Sequence, residues 1–383
     1  MTIRKAAPAI LVLEDGRAFR GVSWGAEGET FGEAVFATAM TGYQETLTDP
    51  SYHRQVVVMT APHIGNTGWN DEDDESSRIW VSGLVVRDPA RVVSNWRSRR
   101  SLTDELVAQN VVAIAGVDTR ALTRHLRDQG VMRVGVSTLD LDPESLAERV
   151  RQQPSMAGAD LVADVTTDHA YVVPAVGTAR FRVAAIDLGI KAMTPQRLSE
   201  RGLDVHVLPA GATIDQVRDL TPDGVFFSNG PGDPATADQP VALLRQLLAE
   251  GTPYFGICFG NQLFGRALGL DTYKLPFGHR GVNQPVMDLG TGKVEITSHN
   301  HGFAVQAPIG SDISTEFGTA RVSHVGLNDQ VVEGLELRNE DGKLSAFSVQ
   351  YHPEAAAGPH DSGYLFDRFV QMLADHAQPE EAN

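Results

Sequence analysis

From Arg182 onward the chain alternates short apolar runs with segments of helical period, and that alternation admits few folds. Residues 182–188, 203–208 and 224–228 predict strands. Residues 194–201, 214–220 and 240–250 predict helices. Strands that take turns with helices imply crossover connections and a parallel sheet. The predicted class is therefore α/β, with a C-terminal doubly wound, mostly parallel sheet. Ligand chemistry in such a sheet belongs at the carboxyl ends of the strands. The next apolar run, after Gly251 and Pro253, ends at Cys258.

That run reads on as Gly256-Ile257-Cys258-Phe259-Gly260, a G-x-C-x-G between a strand and a helix that stops at Gly269. The pattern is that of a nucleophile elbow with thiol in place of hydroxyl. A tight turn that lifts one side chain off a sheet crowds the backbone, and glycines on either side relieve it. Cys258 then lies at a helix N-terminus, where N–H groups and the helix dipole favour thiolate below the usual value of about 8.5. The same N–H groups can hold an oxyanion. The other reading is a buried structural cysteine, the commoner fate of a lone thiol. Cys258 is the only cysteine of the chain, which excludes an internal disulfide and fits a reducing compartment.

A chain of 383 residues suggests two domains. The expected division is a smaller mixed β/α N-terminal domain at 1–154, a connection at 155–180, the α/β domain at 181–378 and a tail at 379–383. A net charge of −17 argues against nucleic acid and anionic membranes as partners. No apolar run approaches a membrane span, and residues 6–13 are too short for a secretory leader before Glu14 and Asp15. A cytoplasmic location is expected.

In the N-terminal part, residues 10–12 and 18–22 flank Asp15-Gly16-Arg17 and predict a hairpin. Residues 34–40, 55–59, 111–114 and 131–137 predict further strands; 102–109, 118–126 and 143–153 predict helices, the second capped by Asp118. Residues 41–52 read as a polar connection, or as the lining of a site at a domain boundary. The acidic run 71–75 reads as a solvated loop, since it lacks an EF-hand pattern. The basic run 97–100 reads as surface charge, with an interface patch as the alternative.

Two segments stand ready to meet Cys258. In Phe347-Ser348-Val349-Gln350-Tyr351-His352-Pro353-Glu354 an apolar run ends at His352. His352 and Glu354 project to one side if extended, and Pro353 ends the ladder. A carboxylate there would orient the imidazole, as in a nucleophile–base–orienter triad. Ser228-Asn229-Gly230-Pro231-Gly232-Asp233-Pro234 follows a strand and forms either a tight turn or a loop aiming N–H groups at an anion.

These three motifs together resemble the class I, triad-type glutamine amidotransferases. The front half narrows the resemblance. Thr41 to Glu45, Thr48 to Tyr52, Gly116 to Thr123, and Asn300-His301-Gly302-Phe303-Ala304-Val305 are similar to the small subunit of carbamoyl-phosphate synthase. The resemblance spans nearly the whole chain. It implies Cys258 as nucleophile, His352 as base and acid, and Glu354 as its orienter. It places Ser51, Gly230, Gly232, Phe259, Gln262, Asn300, Gly302 and Phe303 at glutamine, with Gly232 and Phe259 supplying oxyanion N–H groups. Two positions depart from the family's common pattern, which has leucine at Phe259 and histidine at Asn261. Asn261 bears on the local contacts around the triad.

The resemblance also implies a partner. No nucleotide site is legible, because Gly290-Thr291-Gly292-Lys293 lacks the spacing of a P-loop and reads as a hairpin turn. No cofactor or metal is expected in this chain. ATP and magnesium are expected on a large subunit that consumes the ammonia, with carbamoyl phosphate feeding arginine and pyrimidine synthesis. The N-terminal domain would make most of the contact with that subunit. A free-standing cysteine hydrolase and a non-catalytic scaffold are the competing readings.

Overall fold

The computed structural model describes residues 7–377, so the expected 379–383 tail lies outside the described residues. The chain divides into two compact units, Met1–Ala159 and Asp160–Asn383.

The first unit carries β1 (Pro8–Leu13), β2 (Ala18–Ser23), β3 (Glu29–Ala37), β4 (Gln55–Met59), β5 (His63–Ile64), β6 (Gly83–Val85), β7 (Asp88–Pro89), β8 (Val112–Ala115) and β9 (Met132–Ser137). β1 and β2 form the expected hairpin. Seven strands close into a barrel in the order β1-β2-β8-β6-β4-β3-β9. Closure leaves no unpaired edge. Helices α1 (Tyr43–Thr48), α2 (Leu102–Ala108), α3 (Thr119–Gln129) and α4 (Pro143–Arg151) complete the unit. Alternate residues of β4 bury in opposite directions, Val56 and Val58 with Leu122 and Leu126 of α3, Val57 and Met59 with Leu102 and Leu106 of α2. Asp118 caps α3, accepting from the Ala121 N–H at 3.0 Å.

Residues 41–52 are not the solvated connection that their polarity suggests. They form α1 and a 3₁₀ turn, Pro50–Tyr52, with Tyr43, Gln44, Leu47 and Thr48 buried. The chain itself satisfies the polar groups. Gln44 Nε2 donates to Asn70 O at 2.7 Å and Asp74 Oδ1 at 2.8 Å, and Thr48 Oγ1 donates to Gln44 O at 2.9 Å. The acidic and basic runs answer one another. Arg97 pairs with Glu72 at 3.0 Å and Asp73 at 2.6 Å, and Arg100 pairs with Asp71 at 2.6 Å and with Glu105.

The second unit opens inside the expected connection, with α5 (Val162–Val165) and β10 (Tyr171–Val173). Then come β11 (Phe181–Asp187), α6 (Met193–Ser199), β12 (Leu203–Pro209), α7 (Ile214–Asp219), β13 (Gly224–Phe227), α8 (Asp238–Ala249), β14 (Tyr254–Ile257) and α9 (Phe259–Ala267). A run of strands follows: β15 (Asp271–Asp288), β16 (Val294–Gln306), β17 (Ile313–Thr315), β18 (Gly318–Gly326), β19 (Val332–Arg338) and β20 (Leu344–Val349). Helix α10 (Tyr364–Ala377) closes the unit.

The sheet order is β10-β12-β11-β13-β14-β20-β19-β18-β15-β16. From β12 to β20 the pairing is parallel. Beyond β20 it turns antiparallel. Along β11, Val183 and Ala185 pack with Leu198 of α6 and Phe366 and Phe369 of α10. Ala184 and Ile186 pack with Leu244 of α8 and Leu263 of α9. Burial on both faces explains why these strands read as unbroken apolar runs. Residues 289–293 turn β15 into β16, with Asp288 Oδ1 accepting from the Gly290 N–H at 2.8 Å, as a hairpin turn should. No helix of the described residues is long and apolar enough to cross a membrane.

Candidate active site

Four neighbouring parallel strands, β11, β13, β14 and β20, deliver their carboxyl ends to one place. Their last residues lead into Lys191, Ser228, Cys258 and His352.

Cys258 caps α9 with φ 55° and ψ −99°. A side chain at positive φ is strained, and such strain gathers where geometry is imposed for function. The neighbouring glycines are required by contact. A Cβ on Gly256 would fall 2.2 Å from Tyr254 Oη, and one on Gly260 would fall 2.3 Å from Phe227 O. The elbow is tied down on three sides. The Cys258 N–H donates to Val349 O at 2.8 Å, the Gly260 N–H to Ser228 O at 3.1 Å, and the thiol to Asn300 O at 3.5 Å. Cys258 itself is 2 % exposed.

His352 reaches the same spot from β20. Val349 pairs with Ile257, so both strands end side by side. The His352 N–H donates to Ser298 O at 2.9 Å, two residues before the carbonyl that receives the thiol. Strand β16 therefore braces both residues, Cys258 through its thiol and His352 through its backbone. His352 Nδ1 lies 2.7 Å from Glu354 Oε1, and the acceptor-only carboxylate fixes the proton on Nδ1. Nε2 is left with a lone pair, buried and without a hydrogen-bond partner.

Glu354 is fully buried, and its Oε1 is shared with a cation, Lys191 Nζ, at 2.7 Å. Burial alone would raise the carboxyl, but the Lys191 ammonium and the His352 ring outweigh it and hold Glu354 at about 2. Lys191 is placed by a turn after β11, where Asp187 Oδ1 accepts from the N–H groups of Gly189 at 2.8 Å and Ile190 at 2.7 Å. Sequence reading did not single out Lys191. Its signal was a lone cation just past an apolar strand end, where this sheet class places its chemistry.

Gly230 and Gly232 lie on the loop after β13, tied to β11 by the Leu188 N–H to Ser228 Oγ at 2.9 Å and by Asn229 Nδ2 to Gly189 O at 2.9 Å. Phe259 is the first residue of α9, where helix geometry leaves the N–H without an intrahelical acceptor. Asn300, Gly302 and Phe303 lie on β16. Gln262 Nε2 donates to Phe303 O at 2.9 Å and to Gln350 Oε1 at 3.2 Å, stitching α9 to β16 and to the end of β20. Asn261 is wholly buried and engaged at both ends of its amide, donating to Gln350 Oε1 at 3.1 Å and accepting from Ser348 Oγ at 2.8 Å. Ser51 belongs to the first unit, where its N–H donates to Asp49 Oδ1 at 2.9 Å.

The arrangement holds a thiol at a helix N-terminus, an imidazole with a lone pair on its inner nitrogen, and a permanently ionised carboxylate behind it. That set can carry acyl transfer through a thioester.

Comparison with known proteins is consistent over both halves of the chain. Residues 11–136 match the model described as carbamoyl-phosphate synthase small chain, CPSase domain, and residues 184–372 match glutamine amidotransferase class-I. A carbamoyl phosphate synthase small chain of Streptomyces avermitilis is 69% identical over 369 residues, covering 96% of each chain. One from Mycolicibacterium paratuberculosis is 61% identical, covering 95% of this chain and 98% of the relative. One from Mycobacterium tuberculosis is 60% identical, with 96% and 98% covered.

Proposed function

The chain belongs to the carbamoyl-phosphate synthase small-chain family, and from that premise we propose that Cys258, His352 and Glu354 release ammonia from glutamine for a large, ATP-using subunit. The observation that carries this reading is the His352 ring, with Nδ1 bound to Glu354 and Nε2 buried and unpartnered at the end of the strand beside Cys258.

The Cys258 thiolate attacks the side-chain carbonyl carbon of glutamine. The oxyanion forms near the N–H groups of Phe259 and Gly232. His352 Nε2, having taken the thiol proton, returns it to the departing nitrogen as the C–N bond breaks. Ammonia leaves and a glutamyl thioester remains. His352 then takes a proton from water, whose oxygen attacks the thioester, and glutamate departs with the thiolate restored. Glu354 stabilises the imidazolium in both steps, and Lys191 keeps Glu354 ionised. Gly230, Gln262, Asn300, Gly302 and Phe303 shape the glutamine pocket in this reading. The sheet that carries them is of the doubly wound class over its parallel part.

No step of this hydrolysis needs a bound cofactor. ATP and magnesium belong to the large subunit, whose product, carbamoyl phosphate, serves arginine and pyrimidine synthesis. A lone thiol nucleophile suits a reducing, cytoplasmic setting.

The test is ammonia release from glutamine by the purified chain, alone and with a large subunit, ATP and bicarbonate. Cys258→Ser should abolish glutamine-dependent synthesis while the holoenzyme still uses supplied ammonia. Substantial glutaminase activity in that variant would refute the reading.

A further inference from the structure

Behind β16, on the face opposite Asn300, three imidazoles and a carboxylate converge: His279 of β15, His299 and His301 of β16, and Glu333 of β19. All four are buried, and one donor atom from each lies within 4.8 Å of the others. His279 and His301 are cross-strand partners, and His299 and His301 alternate onto one face of β16.

The hydrogen bonds fix the tautomers. His301 Nδ1 lies 2.9 Å from Phe303 O, a carbonyl that can only accept, so Nδ1 carries the proton and Nε2 a lone pair. His299 Nε2 lies 2.7 Å from Thr297 Oγ1, whose own proton goes to Gln284 O at 2.8 Å. The hydroxyl must therefore accept from His299, so Nε2 carries that proton and Nδ1 a lone pair. Yet His299 Nδ1 and His301 Nε2 face each other at 3.1 Å. Two lone pairs at that distance repel unless a cation lies between them.

The remaining two groups complete a coordination set. His279 gives Nε2 to Asp329 Oδ2 at 2.8 Å and turns Nδ1 inward, 3.2 Å from Glu333 Oε1. Glu333 Oε1 lies 3.8 Å from His301 Nε2, and Oε2 lies 3.7 Å from His299 Nδ1. Glu333 is 0% exposed, and Oε2 has no hydrogen-bond partner. Each imidazole thus anchors its outer nitrogen on an oxygen; His299 and His301 offer their inner nitrogens, and that of His279 is held by Glu333, the partner with which it would share an ion. Bonds of 2.0–2.1 Å in a tetrahedron set donors about 3.3 Å apart; the donors here lie between 3.1 Å and 4.8 Å from one another and would draw in around an ion.

We propose that His279, His299, His301 and Glu333 bind a divalent transition-metal ion, zinc by preference, as a closed structural site. Three nitrogens and one oxygen in a buried set of four suit zinc, and four protein ligands leave no position for substrate. Sequence reading expected no metal, because the ligands come from three strands and only His299 and His301 are close in the chain. The ion would pin β15, β16 and β19 together behind the strand that braces Cys258 and His352. Its reach to the elbow is short, since Phe303 O accepts from both His301 and Gln262.

The test is metal analysis of the full-length chain, stripped with a chelator, equilibrated with zinc and passed over a desalting column. About one zinc per chain should remain. Cobalt in its place should give the visible bands of a tetrahedral nitrogen–oxygen site. Glu333→Gln and His299→Gln should each weaken retention by more than about 100-fold, beyond the loss typical of outer-shell partners. A folded wild-type chain that retains no zinc would overturn the proposal, as would equal retention by wild type and both variants. The wild-type measurement stands even if a variant fails to fold.

Discussion

Lys191 Nζ and His352 Nδ1 converge on one oxygen of Glu354, each at 2.7 Å. Removing either partner of a buried pair leaves a charge without compensation. Glu354 sits at about 2 against an ordinary 4.5, so its carboxylate stabilises the fold above 4.5 and stops doing so as pH falls to about 2. Lys191→Met should therefore lower stability near neutrality by roughly 3 kcal/mol. The difference from wild type should shrink as pH drops through that window. Urea unfolding at several pH values checks this, and a difference that ignores pH would remove the ion pair as its cause. The same substitution should raise the acidic limb of the glutaminase pH profile.

Gly260 has no room for a methyl group, because the added carbon would press on Phe227 O. Gly260→Ala should cost about 1–3 kcal/mol and depress glutaminase activity together with the melting temperature. An alanine variant that melts like wild type would show that the elbow is looser than these distances require.

Asn261 is buried, and both ends of its amide are engaged. Asn261→Leu should cost about 1–3 kcal/mol by leaving Ser348 and Gln350 with lost partners. Asn261→His should be milder, since an imidazole can still donate on one side and accept on the other. Thermal melts of the two variants separate these outcomes. If leucine proves the milder change, polar satisfaction is not what the site demands.

Arg97 bridges Glu72 and Asp73 at the surface, with about a third of its side chain exposed. Arg97→Ala should change stability by less than about 1 kcal/mol. Any loss should fade in molar salt, where the screening length falls to about 3 Å. A large, salt-insensitive loss would assign the two charged runs a role in the core of the first unit.

What the sequence disclosed followed the range of the forces involved. The elbow at Cys258, the His352–Glu354 pair and the cap at Asp118 are local, and a few adjacent residues determine each. Barrel closure was hidden, because it depends on β1 meeting β9 more than a hundred residues away. The strands from β15 to β20 were largely hidden too. β15 and β16 run through bulges at Lys274/His279 and Gly281/Gln284, which break the alternation that marks a strand. Residues 41–52 misled for a different reason. Gln44 and Thr48 look solvent-seeking until their partners at Asn70, Asp74 and the helix backbone are known. Lys191 and the four-residue cluster around Glu333 join elements that only the folded sheet brings together.

The backbone at Cys258, with φ 55° and ψ −99°, has a consequence for how the protein tolerates change. A residue with a side chain in such a region costs about 1–3 kcal/mol, and glycine would cost almost nothing. Folding therefore pulls against the residue proposed to attack the substrate. A glycine substituted there would make a chain that folds more readily and catalyses nothing. Selection for thermal robustness alone would drift toward that inert form, so only a screen that also demands nitrogen transfer would keep the thiol.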